Sequence, residues 1–135
     1  MSPIITLACV VIDCQDPAGL AAFYHAASGG EITHTDEDSA WVAMAATTWV
    51  FRKVEGYQPP TWPGSEVPPQ LHLDFSVDDL DTAEKQLHAL GATTPEHQPN
   101  DRTRGLIVML DPAGHPFCIA ARREPPATGS ATGMP

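Results

Sequence analysis

Basic residues are scarce in this chain. Seven Lys and Arg stand against 17 Asp and Glu, which gives a formal net charge of -10. A surface of this sign repels phosphate backbones and anionic membrane surfaces and attracts cations. We therefore expect neither nucleic acid nor a membrane as a partner.

Cysteines and long apolar runs are also few. The three cysteines, Cys9, Cys14 and Cys118, are odd in number and show no C-x-x-C spacing. This pattern argues against a disulfide framework and favours a reducing, cytoplasmic location. No apolar run approaches the length of a membrane span, and no signal-peptide pattern is present. We expect a soluble cytoplasmic protein.

One order of predicted elements occurs twice along the chain, and Asp16 aligns with Asp79, 63 residues later. In the first half, an apolar run at 4–12 predicts a strand, Asp16 and Pro17 predict a helix N-terminus, and Gly29 predicts its end. Alternation and turn residues then predict further strands at 31–34, 40–45 and 48–53. The second half predicts a strand at 71–77, a helix at 79–90, and strands at 92–94, 105–110 and 116–120.

The two halves form one predicted domain over residues 1–121. Its modules cover 4–54 and 70–121, and a joint at 55–69 carries five prolines, which exclude a helix or a central strand there. Residues 122–135 contain proline, glycine and small polar residues without apolar periodicity, so we expect this tail to be disordered.

Three motifs connect the chain to a known superfamily. Asp16-Pro17 is followed by a Leu-Ala-Ala-Phe-Tyr stretch at 20–24, residues 70–81 read QLHLDFSVDDLD, and residues 111–117 read DPAGHPF. Over roughly residues 4–121 the chain resembles the vicinal oxygen chelate superfamily of glyoxalases, bleomycin resistance proteins and extradiol dioxygenases. The resemblance implies an α+β fold of two βαβββ modules whose curved mixed sheets form a cup, paired in a homodimer.

Enzymes of this superfamily hold a divalent metal with four inward-facing residues. The resemblance places Cys9, Arg52, His72 and Cys118 at these positions. Arginine keeps its proton in proteins and its cation opposes a metal ion, so we expect no metal cofactor. The alternative is a zinc or iron site formed by Cys9, His72 and Cys118, since thiolate and imidazole are good ligands for such ions.

Strand periodicity identifies two candidate carboxylates. Residues two apart share one face of a strand, so His72, Asp74 and Ser76 line one face. The alignment of the two halves places Asp13 on the equivalent face of the first strand. His72 and Asp74 are therefore candidates for acid–base catalysis, although a histidine between apolar residues is also a common structural group.

Aromatic residues concentrate within residues 41–62. Trp49 and Phe51 alternate along one strand and are predicted core residues, while Trp41 and Trp62 are candidates for the wall of a ligand pocket. Arg52 either donates to an anionic or carbonyl group of the ligand or pairs with Asp13 or Asp74.

We predict a metal-independent small-molecule binding protein of the bleomycin-resistance type, which sequesters an antibiotic or an aromatic metabolite. The predicted ligand-binding residues are Asp13, Trp41, Arg52, Trp62, His72, Asp74 and Cys118. The alternative is a lyase, isomerase or dioxygenase of the same superfamily, with an altered metal site or with His72 and Asp74 as acid–base groups. Proteins with a fold of this kind carry out several different reactions, so the function must be inferred from the site residues.

Overall fold

Two helices and seven strands make up the described part of the chain. The structure is a computed structural model that describes residues 3–99 and 104–121, so the predicted disordered tail at 122–135 lies outside the described residues. The elements are β1 (Cys9–Cys14), α1 (Pro17–Ser28), β2 (Glu31–Thr35), β3 (Ser39–Met44), β4 (Thr47–Lys53), β5 (Leu73–Val77), α2 (Leu80–Ala89), β6 (Leu106–Leu110) and β7 (Pro116–Ala121).

The strands form two mixed sheets, one in each half of the chain. The first sheet has the order β1-β4-β3-β2 and the second has the order β5-β7-β6. In each sheet the first strand of the module pairs in parallel with the last, and the other pairs are antiparallel. The predicted α+β fold with two repeated modules is confirmed.

Two predicted strands differ from the structure. The first begins at Cys9 instead of residue 4, and Ile4 is fully exposed. The strand predicted at 92–94 is reduced to an isolated bridge between Thr93 and Leu110, so the second module has three strands beside its helix. Two prolines follow this bridge, at 95 and 99, and proline cannot donate to a strand ladder.

A side-chain amide occupies the edge that this missing strand would cover. Gln98 donates from Nε2 to the Val108 carbonyl at 2.9 Å and accepts from the Val108 N–H at Oε1, also at 2.9 Å. The two backbone groups of Val108 are thus satisfied without a neighbouring strand, as buried peptide groups require.

Helix α1 begins and ends as the sequence predicts. The Asp16 carboxylate accepts a hydrogen bond from the Gly19 N–H at 3.1 Å, and Pro17 occupies the first turn, where its missing N–H has no partner to lose. Gly29 ends the helix with φ of 77°, a left-handed conformation that glycine adopts without a Cβ clash.

Helix α1 and the two sheets share one hydrophobic core. The Tyr24 ring stacks on Phe51 with a centroid separation of 5.4 Å, and Phe23 meets Phe117 of the second sheet at 6.1 Å. Tyr24 also meets Phe75 at 6.3 Å. The helix therefore joins its own module to the other one through aromatic contacts.

Helix α2 is only partly buried. The apolar stripe Leu80, Ala83 and Leu87 is only half-buried, and Leu90 beyond the helix end is 40% exposed. Asp79 caps the helix by accepting from the Thr82 N–H at 2.9 Å. Neither helix of the described residues is long and apolar enough to cross a lipid bilayer.

Candidate functional site

The first sheet packs one face on α1 and leaves the other open. Strand register places Trp41 beside Val50 of β4 and Val50 beside Val11 of β1, which makes an apolar row across the open face. Trp41 is 40% exposed and Val11 is 47% exposed. The next row along the same strands is polar and joins Ser39, Arg52 and Asp13 in the same way.

Arg52 and Asp13 form an ion pair in this polar row. The guanidinium donates from Nη2 at 2.9 Å and from Nε at 3.2 Å to Oδ1 of Asp13. Both side chains are about half exposed. Of the partners considered for Arg52 in the sequence, the structure thus shows Asp13, which the parallel register of β1 and β4 places directly opposite.

The second sheet carries a cluster of ionisable groups on its open face. Asp74 of β5 lies opposite Cys118 of β7, and His72 precedes the strand on the same face. The His72 Nε2 atom lies 3.4 Å from Oδ1 of Asp74. One ligand atom from each of the three residues lies within 4.8 Å of the others.

The Cys118 thiol of this cluster holds its proton tightly. Burial, followed by the charge of Asp74 and a hydrogen bond to it, raises the pKa of Cys118 to about 11. A thiol with this pKa is protonated near neutral pH and is a weak nucleophile unless a cation displaces the proton.

The four positions that the resemblance assigns to a metal do not fit one as a set. Arg52 is a cation paired with Asp13, and Cys9 lies on the first sheet beside Thr48, outside the cluster of the second sheet. His72, Asp74 and Cys118 do fit an ion such as zinc by donor type. Asp74 thus takes the place in this trio that was predicted for Cys9.

Trp62 of the joint contacts His97 of the second module. Its indole N–H donates to the His97 carbonyl at 3.3 Å, and the two rings are 6.3 Å apart. Trp41 has a different neighbour, the His34 ring at 5.0 Å on the same open face. Of the two proposed aromatic walls, only Trp41 therefore lies in the apolar row described above.

A buried polar network was missed in the sequence. Asp111 is 5% exposed and accepts from the Tyr24 hydroxyl at 2.7 Å and from the N–H groups of Ala113 at 2.9 Å and His115 at 3.0 Å. Burial raises the pKa of Asp111, although these donors and the nearby His115 oppose the shift.

His115 extends the network to the end of β1. Its Nε2 atom lies 2.7 Å from the Asp13 carbonyl and 3.2 Å from the Tyr57 hydroxyl, which itself donates to the Ala113 carbonyl at 2.8 Å. Because a carbonyl oxygen only accepts, Nε2 carries the proton. His115 therefore links the backbone of Asp13 to the second module and holds Tyr57 of the joint.

Family comparison decides the identity of the fold. A model of the glyoxalase-like domain matches residues 9–120. The chain belongs to the glyoxalase-like domain family. No curated protein matches this glyoxalase-like chain significantly.

Solved structures resemble this glyoxalase-like domain along most of its length. FosX, a fosfomycin resistance protein from Listeria monocytogenes, has a TM-score of 0.65 and 18% identity, covering 90% of this chain and 96% of that chain. A glyoxalase/bleomycin resistance protein/dioxygenase family enzyme from Burkholderia phytofirmans has a TM-score of 0.66 and 21% identity, covering 87% and 98%. A FosX variant complexed with Mn(II) and 1S,2S-dihydroxypropylphosphonic acid has a TM-score of 0.64 and 17% identity, covering 87% and 90%. These likenesses concern the fold.

Proposed function

We propose that this glyoxalase-like domain is a small-molecule binding protein that works without a metal and holds its ligand on the open faces of its sheets. The observation that carries the proposal is the Arg52–Asp13 pair beside the exposed apolar row that contains Trp41. Ligand sites combine apolar walls with a few fixed polar groups, and this face has both. Relatives named for bleomycin and fosfomycin resistance support a small-molecule role.

The spacing of the two rows indicates the class of ligand. Diagonal neighbours on one face of an antiparallel pair lie about 7–8 Å apart, which is the relation of Trp41 to Arg52. A flat ring on the Trp41 indole therefore places a carboxylate or carbonyl substituent within reach of the guanidinium. We infer an aromatic carboxylate or an antibiotic with an equivalent group.

Arg52 has the donors for this task. Two of its five N–H groups go to one oxygen of Asp13, and within the described residues no other acceptor is bonded to it. Arginine binds carboxylates with two parallel hydrogen bonds, and charge-assisted bonds of this kind are about twice as strong as neutral ones. Asp13 orients the guanidinium and leaves its remaining edge for the ligand.

Tryptophan fluorescence tests this function. The metal-free protein is titrated with bleomycin and with 4-hydroxybenzoate, and we expect quenching as a ring stacks on Trp41. Arg52→Lys keeps the charge but loses the planar fork, so affinity for the carboxylate is expected to fall about tenfold or more. Arg52→Met should weaken it further.

Two results would contradict the proposal. If neither ligand changes the tryptophan fluorescence, the proposed binding function is wrong. Affinity that disappears with a chelator and returns with a divalent ion would show that a metal holds the ligand.

We further propose that the functional unit is a homodimer. Ile5 and Leu7 precede β1 and are 85% and 68% exposed, and Leu71 before β5 is 50% exposed. Exposed apolar groups of this size are typical of protein interfaces. Light scattering should show a dimer, and Leu7→Glu should produce a monomer; a wild-type monomer at micromolar concentration would exclude the homodimer.

A second candidate function rests on the His72, Asp74 and Cys118 cluster. These residues would hold a divalent ion, which would supply Lewis-acid chemistry for a lyase, isomerase or dioxygenase. In the absence of an ion, His72 and Asp74 can still transfer protons to a ligand on this face. The ligand atoms of the three residues lie within 4.8 Å of one another, which favours this candidate.

Zinc binding separates the two candidates. Calorimetric titration of chelator-treated protein with zinc should give one site per chain if the cluster is a metal centre. His72→Ala should abolish it, whereas Cys9→Ser should not, because Cys9 lies outside the cluster. Absence of zinc binding, or its loss in Cys9→Ser, would reject this cluster as the metal centre.

A further inference from the structure

A cavity of about 370 Å³ lies between the joint and the core, beside the open face of the first sheet. Ile12, Tyr24 and Leu73 form part of its wall and pack in the core. Tyr57, Pro60 and Val67 of the joint line it as well. The cavity shares Val11 and Asp13 with the open face, but Trp41 and Arg52 are not among the described residues that line it.

The cavity has an apolar lining that includes two carboxylates. Val67 and the prolines of the joint supply part of the apolar surface, and the carboxylates belong to Asp111 and to Asp13, which is paired with Arg52. No lysine or arginine is among the described residues that line it. The lining thus disfavours an anion and favours a neutral or cationic molecule with an apolar body.

Asp111 is a buried carboxylate without a cationic side-chain partner from Lys or Arg among the described residues. Its hydrogen-bond donors are neutral dipoles, namely the Tyr24 hydroxyl and two backbone N–H groups, and the His115 ring lies nearby. A carboxylate offers about four acceptor positions, so three hydrogen bonds leave one for a further donor. Buried charges in proteins are ordinarily paired, and a ligand cation would complete this one.

Tyr57 adds a second recognition element at the cavity wall. Its hydroxyl is fixed by the Ala113 carbonyl, and its ring lies 5.8 Å from the His115 ring. An aromatic ring held in place attracts an ammonium group through its π face. A tyrosine and a carboxylate in one apolar cavity are therefore suited to an amine.

We propose that this cavity is a second binding site, which takes a small amine with its ammonium group toward Asp111 and its apolar body against the joint. The site does not depend on the function proposed for the open faces. Its volume falls near the lower end of small-molecule sites, which span roughly 300–1,000 Å³. A single ring with a short aminoalkyl chain matches this size and charge.

Calorimetric titration with 2-phenylethylamine and its neutral analogue 2-phenylethanol tests the proposal on the full chain at pH 7. The amine is expected to bind about tenfold more tightly than the alcohol, because its charge-assisted hydrogen bond replaces a neutral one. Asp111→Asn should reduce this ratio to near one while the alcohol still binds. Equal affinity of both compounds for the wild type, or no heat with millimolar amine, would overturn the proposal.

Further variants show where the amine binds and provide a test that does not require Asp111→Asn to fold. Val67→Phe fills the cavity from the joint and should abolish amine binding, whereas Ile32→Phe adds the same ring to an exposed position of β2 and should not. If circular dichroism shows that Asp111→Asn does not fold, the comparison of Val67→Phe with Ile32→Phe tests the proposal instead. Amine affinity that survives Val67→Phe but is lost in Trp41→Ala would place the amine on the open face and reject the cavity. The aromatic carboxylate titration is a separate readout, so either proposal can fail alone.

Discussion

The two modules share an order of elements but differ in how deeply they are buried. In the first, α1 buries Leu20, Phe23 and Tyr24 together with two other residues, and Phe51 of its sheet is fully buried. In the second, α2 has no buried residue. The first module thus carries much of the shared core, and the second carries the cluster of His72, Asp74 and Cys118 on a more exposed frame.

Because of this difference, we expect core residues of the first module to determine stability and residues on the open face of the second sheet to determine reactivity. Core residues in α1 and β4 belong to the core that both modules share, so their removal should lower the stability of the whole fold. Residues on the open face of the second sheet contribute little packing, and their loss should change reactivity with the fold intact. The predictions below test this division.

The largest effect is expected from Phe51→Ala. Removing a fully buried ring that stacks on Tyr24 should lower the free energy of unfolding by about 3–5 kcal/mol. The matched change in the second module, Leu87→Ala, removes a half-buried side chain and should lower it by about 1 kcal/mol. Urea unfolding measures both, and equal losses would show that α2 is covered in solution.

Titration of Asp111 should make the free energy of unfolding depend on pH. Its pKa is higher in the folded state than the ordinary 3.8, so the folded protein binds this proton more tightly than the unfolded chain. Its contribution to stability is therefore greatest below pH 3.8 and falls as pH rises through the folded pKa. Tyr24→Phe removes a hydrogen bond that lowers this pKa, so the fall should extend to higher pH.

Comparison with Asp111→Asn isolates this contribution. The difference in free energy of unfolding between the wild type and this variant, followed across pH, cancels the other carboxylates. Wild-type stability that rises relative to Asp111→Asn over the same range would contradict the direction of the pKa shift.

Cys118 should react slowly with alkylating reagents. A pKa near 11 instead of 9.0 leaves about 100-fold less thiolate at pH 8 than an ordinary cysteine has. Asp74→Asn removes the charge and the carboxylate hydrogen bond that raise this pKa, so labelling with iodoacetamide should become severalfold faster. Mass spectrometry of the Cys118 peptide gives the rate, and an unchanged rate would show that burial alone protects the thiol.

The smallest expected effect is that of Asp13→Asn on stability. The Arg52–Asp13 pair is about half exposed, and pairs of this kind contribute roughly 0–1 kcal/mol. Aromatic carboxylate affinity should change more than stability does, because Arg52 loses the group that orients it. A stability loss well above 1 kcal/mol would make the pair a structural element of the first sheet.

Local signals in the sequence were enough for most elements of the first module, although β1 begins at Cys9 and not at residue 4. Asp16, Pro17 and Gly29 define the ends of α1, and alternation defines β3 and β4. The strand predicted at 92–94 is only a bridge in the structure, because the local pattern there does not show that the prolines after it prevent a ladder.

The candidate site was predicted only in part. Alternation along β5 placed His72 and Asp74 on one face, and the structure brings Cys118 to them. The partner of Arg52 depends on strand register, and the bond between Tyr24 and Asp111 joins residues 87 positions apart. Contacts of this kind arise from packing of distant segments, which a local pattern does not encode.

The Gln98 amide has a consequence for the solubility of the protein. Unpaired peptide groups on a border strand invite foreign chains to add to a sheet, which is a route to aggregation. By satisfying both groups of Val108, Gln98 leaves neither of them free to pair with a strand of a foreign chain.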